Sequence, residues 1–315
     1  MFKADKFIED AVSNLKEKIN GKALIAFSGG VDSTVCAGLV NEAIGKDLIA
    51  VHVDTGYMRK YESENVKKLM EEMNLNYRFV DASKEFYDSL KGITDPEKKR
   101  KIIGEKFIEA FDKVAEKEDI EYLVQGTIAP DWIESGGELR DTIKSHHNVG
   151  GLPEKMKLKL VEPLRDLYKD EVRKVARELN LSVSERQPFP GPGLAIRILG
   201  EATPERTKVV REACDIVEKE ILKAADEGLM EKPWQYFAVL IPSKTVGVHG
   251  DRRVYGDIIA VRAVKSIDAM TCSFSNIPNE VIDKISTRIT NILGDKINRV
   301  VYDVTNKPPG TIEWE

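Results

Sequence analysis

Cysteine is scarce: Cys36, Cys214 and Cys272 are the only three in 315 residues, and none has C-x-x-C spacing. That argues against a disulfide framework, a structural zinc site and a dithiol redox centre, and leaves buried thiols as the expectation. Long apolar runs are absent as well. The longest, Tyr236 to Ile241, falls far short of the roughly 20 residues of a bilayer span, and Met1-Phe2-Lys3-Ala4-Asp5 has no signal-peptide pattern. A soluble, cytoplasmic protein without a membrane partner is expected. Neither sign of charge dominates. The net charge of −5 creates no field that would draw in nucleic acid, so no nucleic-acid partner is expected.

Hydrophobic residues make up 42% of the chain, enough for real cores, and its length predicts two domains. The most informative stretch is Ser28-Gly29-Gly30-Val31-Asp32-Ser33-Thr34. Before it, Ala23-Leu24-Ile25-Ala26-Phe27 reads as a short buried strand; after it, Val31, Val35, Leu39, Val40 and Ile44 recur at helical spacing. Glycines let backbone approach a ligand, and the first N–H groups of the helix, with its dipole, favour an anion. The turn reads as a phosphate cradle. The G-x-x-x-x-G-K-S/T loop needs a lysine on the terminal phosphates, and no lysine lies between Lys22 and Lys46. Asp32 stands in the turn instead. A carboxylate beside phosphates is repulsive unless a cation lies between them, which points to magnesium on Asp32. The alternative is that Asp32 and Ser33 only favour a helix N-terminus.

Residues 1–20 read as an amphipathic helix packing on the sheet, with Ile8, Val12, Leu15 and Ile19 on one face. Strands follow at Leu48 to Asp54, Tyr77 to Val80, Tyr122 to Gln125 and Leu160 to Leu164, alternating with helices near Glu62 to Met73, Asp95 to Glu118 and Lys169 to Leu179. That alternation predicts an α/β fold, a doubly wound parallel sheet with right-handed crossovers. Ligands of such sheets bind beyond the carboxyl ends of the strands. Val53 and Gly126 therefore join the loop as nucleotide-binding candidates, and Asp54 to Arg59 suit the nucleoside. Periodicity disappears from Ile128 to Lys157. This segment holds two of the four histidines, and a loop of its length is functional or disordered. A mobile lid is the reading preferred here.

Gln187-Pro188-Phe189-Pro190-Gly191-Pro192-Gly193 can continue neither a helix nor a central strand. The domain boundary is placed just after it, giving 1–194 as the nucleotide-binding domain and 195–315 as a smaller α+β domain. In the latter, helices are predicted at Pro204 to Asp226 and Pro278 to Leu293. Its predicted strands are Tyr236 to Ile241, Thr245 to Val248, Asp251 to Val264 and Arg299 to Val304.

Five stretches in order carry a family resemblance: Ser28 to Ser33, Pro130-Asp131-Trp132-Ile133-Glu134-Ser135, Lys144-Ser145-His146-His147-Asn148, Pro188 to Gly193, and Lys307-Pro308-Pro309-Gly310-Thr311-Ile312-Glu313-Trp314-Glu315. Together they resemble the GMP synthetases, whose loop is that of the N-type ATP pyrophosphatases. The resemblance implies an adenine nucleotide α-hydrolase-like fold followed by a dimerisation domain, hence a homodimer. It implies XMP, ATP and ammonia as substrates and Mg2+ as cofactor. Too few residues precede Ser28 for the family's glutaminase domain, so the chain looks like the ATP pyrophosphatase subunit of a two-subunit enzyme, with a glutaminase subunit as partner.

The resemblance also distributes roles. Ser28, Gly29, Gly30, Val31, Asp32, Ser33, Thr34, Val53 and Gly126 would bind ATP, with Asp32 on the metal. Lys144 would close over the phosphates. His146 and His147 would bind phosphate or shuttle a proton. Asp131 and Glu134, one helical turn apart, would hold a second magnesium or orient ammonia, unless Asp131 caps a short helix. Lys307, Thr311, Ile312 and Glu313 would bind XMP.

Overall fold

A computed structural model describes residues 2–129, 158–181, 187–266 and 269–315. The chain forms two compact units. One comprises Met1–Thr55, Tyr61–Ala82 and Ile103–Arg186; the other comprises Gly56–Lys60, Ser83–Ile102 and Gln187–Glu315.

The first unit is built on five parallel strands, β1 (Ala23–Ala26), β2 (Leu48–Asp54), β3 (Asn76–Asp81), β4 (Tyr122–Val124) and β5 (Lys159–Val161), in the order β3-β2-β1-β4-β5. Both faces are buried, as parallel sheets require. Ala23, Ile25, Phe27, Leu48, Ala50 and Val124 line one core, while the intervening Leu24, Ile49, Val51 and Leu123 are buried as well. Since side chains alternate across a strand, the second set belongs to the opposite face. Helix α1 (Ala4–Lys18) finds its partners in α2 (Val31–Ile44) and the helix Lys169–Glu178, and through them joins the core that the strands line.

The chain begins in the middle of this sheet, runs outward to β3, then crosses back to add β4 on the far side of β1. The crevice between β1 and β4 is therefore the topological switch point, where open α/β sheets bind ligands. Both the loop after β1 and the turn after β4 open there.

In the second unit the helix Pro204–Asp226 starts as its sequence dictates. Thr203 caps it by accepting from Arg206 N at 3.3 Å, with proline at the first turn. It packs on the strand Gln235–His249 and on the helix Asn279–Leu293. The first of these strands pairs antiparallel with Arg252–Lys265, which pairs parallel with Ile297–Tyr302 and antiparallel with the short Ser273–Phe274. Where two strands were expected between 236 and 248 there is one, with a register shift between Ile241 and Thr245. Pro242 lacks an N–H, so the ladder slips without ending.

The expected break after residue 194 lies inside the second unit. Gln187 Oε1 accepts from Tyr236 N at 3.0 Å, Pro188 O accepts from Gln235 Nε2 at 3.3 Å, and Leu194 N donates to Tyr57 O at 2.8 Å. The first two bonds tie the proline-rich turn to the strand that follows it, and the third ties its end to the Gly56–Lys60 piece of the same unit. Among the described residues no helix is long and apolar enough to cross a membrane.

Candidate active site

The loop leaving β1 is ordered by its own side chains. Gly29 has φ +73°, the left-handed region that glycine tolerates. Ser28 Oγ accepts from Gly30 N at 3.2 Å and lies 3.0 Å from Ser33 Oγ; Thr34 Oγ1 donates to Gly30 O at 2.8 Å. The Gly30 N–H is thus committed within the loop. The N–H groups of Val31, Asp32 and Ser33 belong to the first turn of α2 and have no intrahelical acceptor, so they are the ones open to an anion.

Gly126 closes the other side. A Cβ there would stand 3.3 Å from both the backbone carbon and the Cβ of Asp32, and 3.4 Å from Ser33 N, so a larger residue would press the turn after β4 and the loop slightly apart. Val53 is buried on β2, paired with Val80. Cys36 Sγ faces Gln125 O at 3.7 Å; burial, then the charges of Asp32 and Glu162, push its thiol pKa well up, which leaves it inert.

Asp32 is the electrostatic centre. Its Oδ2 accepts from Lys169 Nζ at 2.6 Å, while Oδ1 is buried with no hydrogen-bond partner among the described residues. Lys169 opens the helix Lys169–Glu178, 137 residues from Asp32 in sequence. Nothing in the local pattern distinguishes it from other surface lysines, and the sequence reading missed it. It brings to the loop the ammonium that the loop's own sequence lacks.

Beneath the loop His52, on β2, is buried. Its Nδ1 lies 2.9 Å from Phe27 O and its Nε2 3.4 Å from Ser63 Oγ, with the Phe79 ring 5.6 Å away. Burial depresses its pKa, against smaller opposing effects of the Phe27 carbonyl, Asp54 and Glu62. The sign follows from linkage. The unfolded chain protonates this histidine more readily, so His52 costs nothing above its ordinary pKa near 6.5 and draws stability down as pH falls below it. Thermal midpoints of the protein and of His52→Asn should therefore diverge progressively between about pH 7 and 5; parallel curves would show that the pKa of His52 does not differ between the folded and unfolded states.

Residues 303–315 in the second unit are held by buried cations. Arg262, fully buried, donates to Asp303 Oδ2 (2.8 Å), Thr305 O (3.0 Å), Thr311 O (2.7 Å) and Ile312 O (2.8 Å). Arg197, equally buried, makes a two-pronged contact with Glu313 at 2.8 and 3.0 Å and lies 4.1 Å from the centroid of the Phe237 ring. Gln235 Nε2 also donates to Glu313 Oε1 at 2.9 Å. Lys99, with no exposure, pairs with the Glu315 carboxylate and donates to Ile198 O at 2.7 Å. Burial works to lower the Lys99 pKa and Glu315 opposes it.

Of the residues expected to bind a second substrate, Glu313 thus has both carboxylate oxygens engaged by protein, and the carbonyls of Thr311 and Ile312 face Arg262. Lys307 Nζ donates to Ala269 O at 2.8 Å, and its backbone pairs with Cys272. In the same unit the Arg59 guanidinium lies 4.8 Å from the centroid of the Phe189 ring. The remaining expected residues, Asp131, Glu134, Lys144, His146 and His147, lie outside the described residues.

A self-braced, lysine-free phosphate loop with a carboxylate at its centre, set at the switch point of a parallel sheet, defines an α/β nucleotide-binding protein of the ATP pyrophosphatase kind. Comparison with known proteins makes the assignment particular. The family described as GMP synthase C terminal domain matches residues 222–314, and the family of the queuosine biosynthesis protein QueC matches residues 22–187. The chain is 58% identical to one subunit of the glutamine-hydrolyzing GMP synthase of Thermoplasma acidophilum over 98% of each chain, and 57% identical to the corresponding subunit from Methanopyrus kandleri over 100% of each. It is 53% identical to the glutamine-hydrolyzing GMP synthase of Thermotoga petrophila over 100% of this chain and 63% of that one. The chain belongs to this family of glutamine-hydrolyzing GMP synthase subunits.

Proposed function

We propose that this chain aminates XMP to GMP. The XMP C2 oxygen attacks the α-phosphorus of ATP and pyrophosphate leaves; ammonia then attacks C2, AMP leaves, and the amine gives up a proton. The observation that carries this reading is the loop at the switch point with its Asp32–Lys169 pair. In adenylation negative charge accumulates on the departing pyrophosphate, and fixed donors aimed at that charge are the effective form of catalysis. The N–H groups of Val31, Asp32 and Ser33, the Ser28 and Ser33 hydroxyls and the Lys169 ammonium supply such donors. Gly29, Gly30, Thr34, Val53 and Gly126 shape the same ATP site.

Magnesium suits these residues, because Asp32 Oδ1 is buried without a partner among the described residues and magnesium commonly takes one or two carboxylates together with substrate phosphates. Held by Asp32, it would neutralise charge on the β- and γ-oxygens. Lys144 adds a positive charge over the phosphates; His146 and His147 bind phosphate or take up the proton lost by the amine; Asp131 and Glu134 orient ammonia or hold a second ion.

The segment with Lys307, Thr311, Ile312 and Glu313 binds XMP, Lys307 being suited to its phosphate. Lys307→Ala should raise the KM for XMP about tenfold or more, as expected for loss of a charged contact, and leave that for ATP unchanged. An equal rise in both would remove Lys307 from the XMP site.

The relatives that match over their whole length are each one subunit of a glutamine-hydrolyzing enzyme, which supports delivery of ammonia by a separate glutaminase subunit, in the cytoplasm. Exposed Val246, Val248 and Tyr255, on the outer half of a hairpin, offer a face for a homodimer. The deciding assay measures GMP and pyrophosphate from XMP, ATP and Mg2+. Ammonium should support turnover by the chain alone, and glutamine should do so only after a glutaminase subunit is added. Failure with ammonium would sink the proposal.

A further inference from the structure

His52 is the one histidine among the described residues that is fully enclosed, and no step above uses it. Its position is informative. The β1–β2 register ends at the pair Ala26–Val51, with one more bond from Phe27 N to Val51 O at 2.8 Å. At Phe27 the chain leaves the sheet for the phosphate loop, so its carbonyl is the first past the end of the paired register. A buried carbonyl at such a point needs a donor, and a loop that starts from an unanchored carbonyl has no fixed origin. His52 Nδ1, at 2.9 Å, fills that role.

The chemistry fixes the tautomer. A carbonyl only accepts, so Nδ1 carries the hydrogen; in the neutral ring Nε2 is then the acceptor, and the Ser63 hydroxyl at 3.4 Å donates to it. Ser63 sits in the first turn of the helix Glu62–Glu72, and both it and the imidazole are buried. A chain of hydrogen bonds thus runs from that helix through His52 to the residue immediately before Ser28.

We propose that His52 is a positioning residue for the phosphate loop: by anchoring the Phe27 carbonyl it sets the place of Ser28 and of the N–H groups that follow, and so the geometry in which the loop meets a pyrophosphate group. It touches no phosphate itself. The inference rests on the reading of the loop as the ATP site, and its test separates the two.

Asparagine places an amide nitrogen where the imidazole has Nδ1, whereas leucine fills volume without donating. Binding of inorganic pyrophosphate with Mg2+, read by calorimetry, and turnover with saturating XMP and ammonium should be measured for the protein, His52→Asn and His52→Leu, with thermal midpoints alongside. His52→Asn should keep pyrophosphate affinity and kcat within about threefold. His52→Leu should lose about 10²-fold in kcat, the scale of an ångström-sized misplacement, and weaken pyrophosphate binding about tenfold, with the KM for XMP unmoved. Equal losses in both variants, or losses that follow the thermal midpoints, would mean that His52 only packs and would overturn the inference. If the unaltered protein binds neither pyrophosphate nor ATP, the reading of the loop falls instead.

Discussion

Asp32→Asn should lower the rate of pyrophosphate release by at least about 10²-fold, the effect of removing one fixed electrostatic partner from a transition state that develops charge, while leaving the fold intact. The asymmetry between the two effects is what makes the prediction sharp. Asp32 and Lys169 are 29% and 42% exposed in their side chains, and an ion pair so open to water contributes less than about 1 kcal/mol. Asparagine keeps the shape and can still accept at one position, so a thermal midpoint should barely move. If turnover survives, Asp32 neither holds a cation nor organises Lys169 against the phosphates. If turnover and stability fall together, the residue is structural.

The opposite pattern is expected at Arg262. Arg262→Leu removes a buried guanidinium, takes from the Asp303 carboxylate its cation contact with Arg262 while leaving the Trp314 and Thr305 N–H donors, and strands the carbonyls of Thr305, Thr311 and Ile312. Leaving one partner of a buried pair uncompensated costs about 3–5 kcal/mol, which denaturant titration of the unfolding midpoint would read directly. The more conservative Arg262→Lys offers fewer donors in a different geometry and cannot reach four acceptors at once. It should raise the KM for XMP at unchanged KM for ATP if residues 303–315 serve XMP. A loss below about 1 kcal/mol in the leucine variant would show that this segment is held by its other anchors.

How much of this was legible beforehand depends on how far apart in sequence the cooperating residues lie. The phosphate loop is a local object: a strand, two glycines, an aspartate and a helix start within a dozen residues, and each fixes its own backbone. The parallel sheet was legible for a similar reason, since continuous apolar runs alternating with amphipathic helices admit few topologies. Lys169 was not, because its role comes from where the crossover returns the chain and not from its neighbours. Arg197, Arg262 and Lys99 were hidden more thoroughly, because nothing local marks a buried cation apart from the solvated lysines and arginines that most charged residues are. The same limit explains the domain boundary: Gly56–Lys60 and Ser83–Ile102 belong with the second unit, and no composition shift marks either piece.

The pairing of Lys99 with Glu315 also has a consequence in time. The two residues are 216 positions apart, and synthesis adds roughly 5–20 residues per second, so Lys99 emerges from the ribosome roughly 10–40 s before its carboxylate exists. Until then its burial would strand an unpaired ammonium, a state whose cost keeps the second unit from closing early. The first unit, whose strands are all in place by Val161, faces no such wait. The nascent chain should therefore fold in two stages, with the loop after β1 formed while the last segment is still being made.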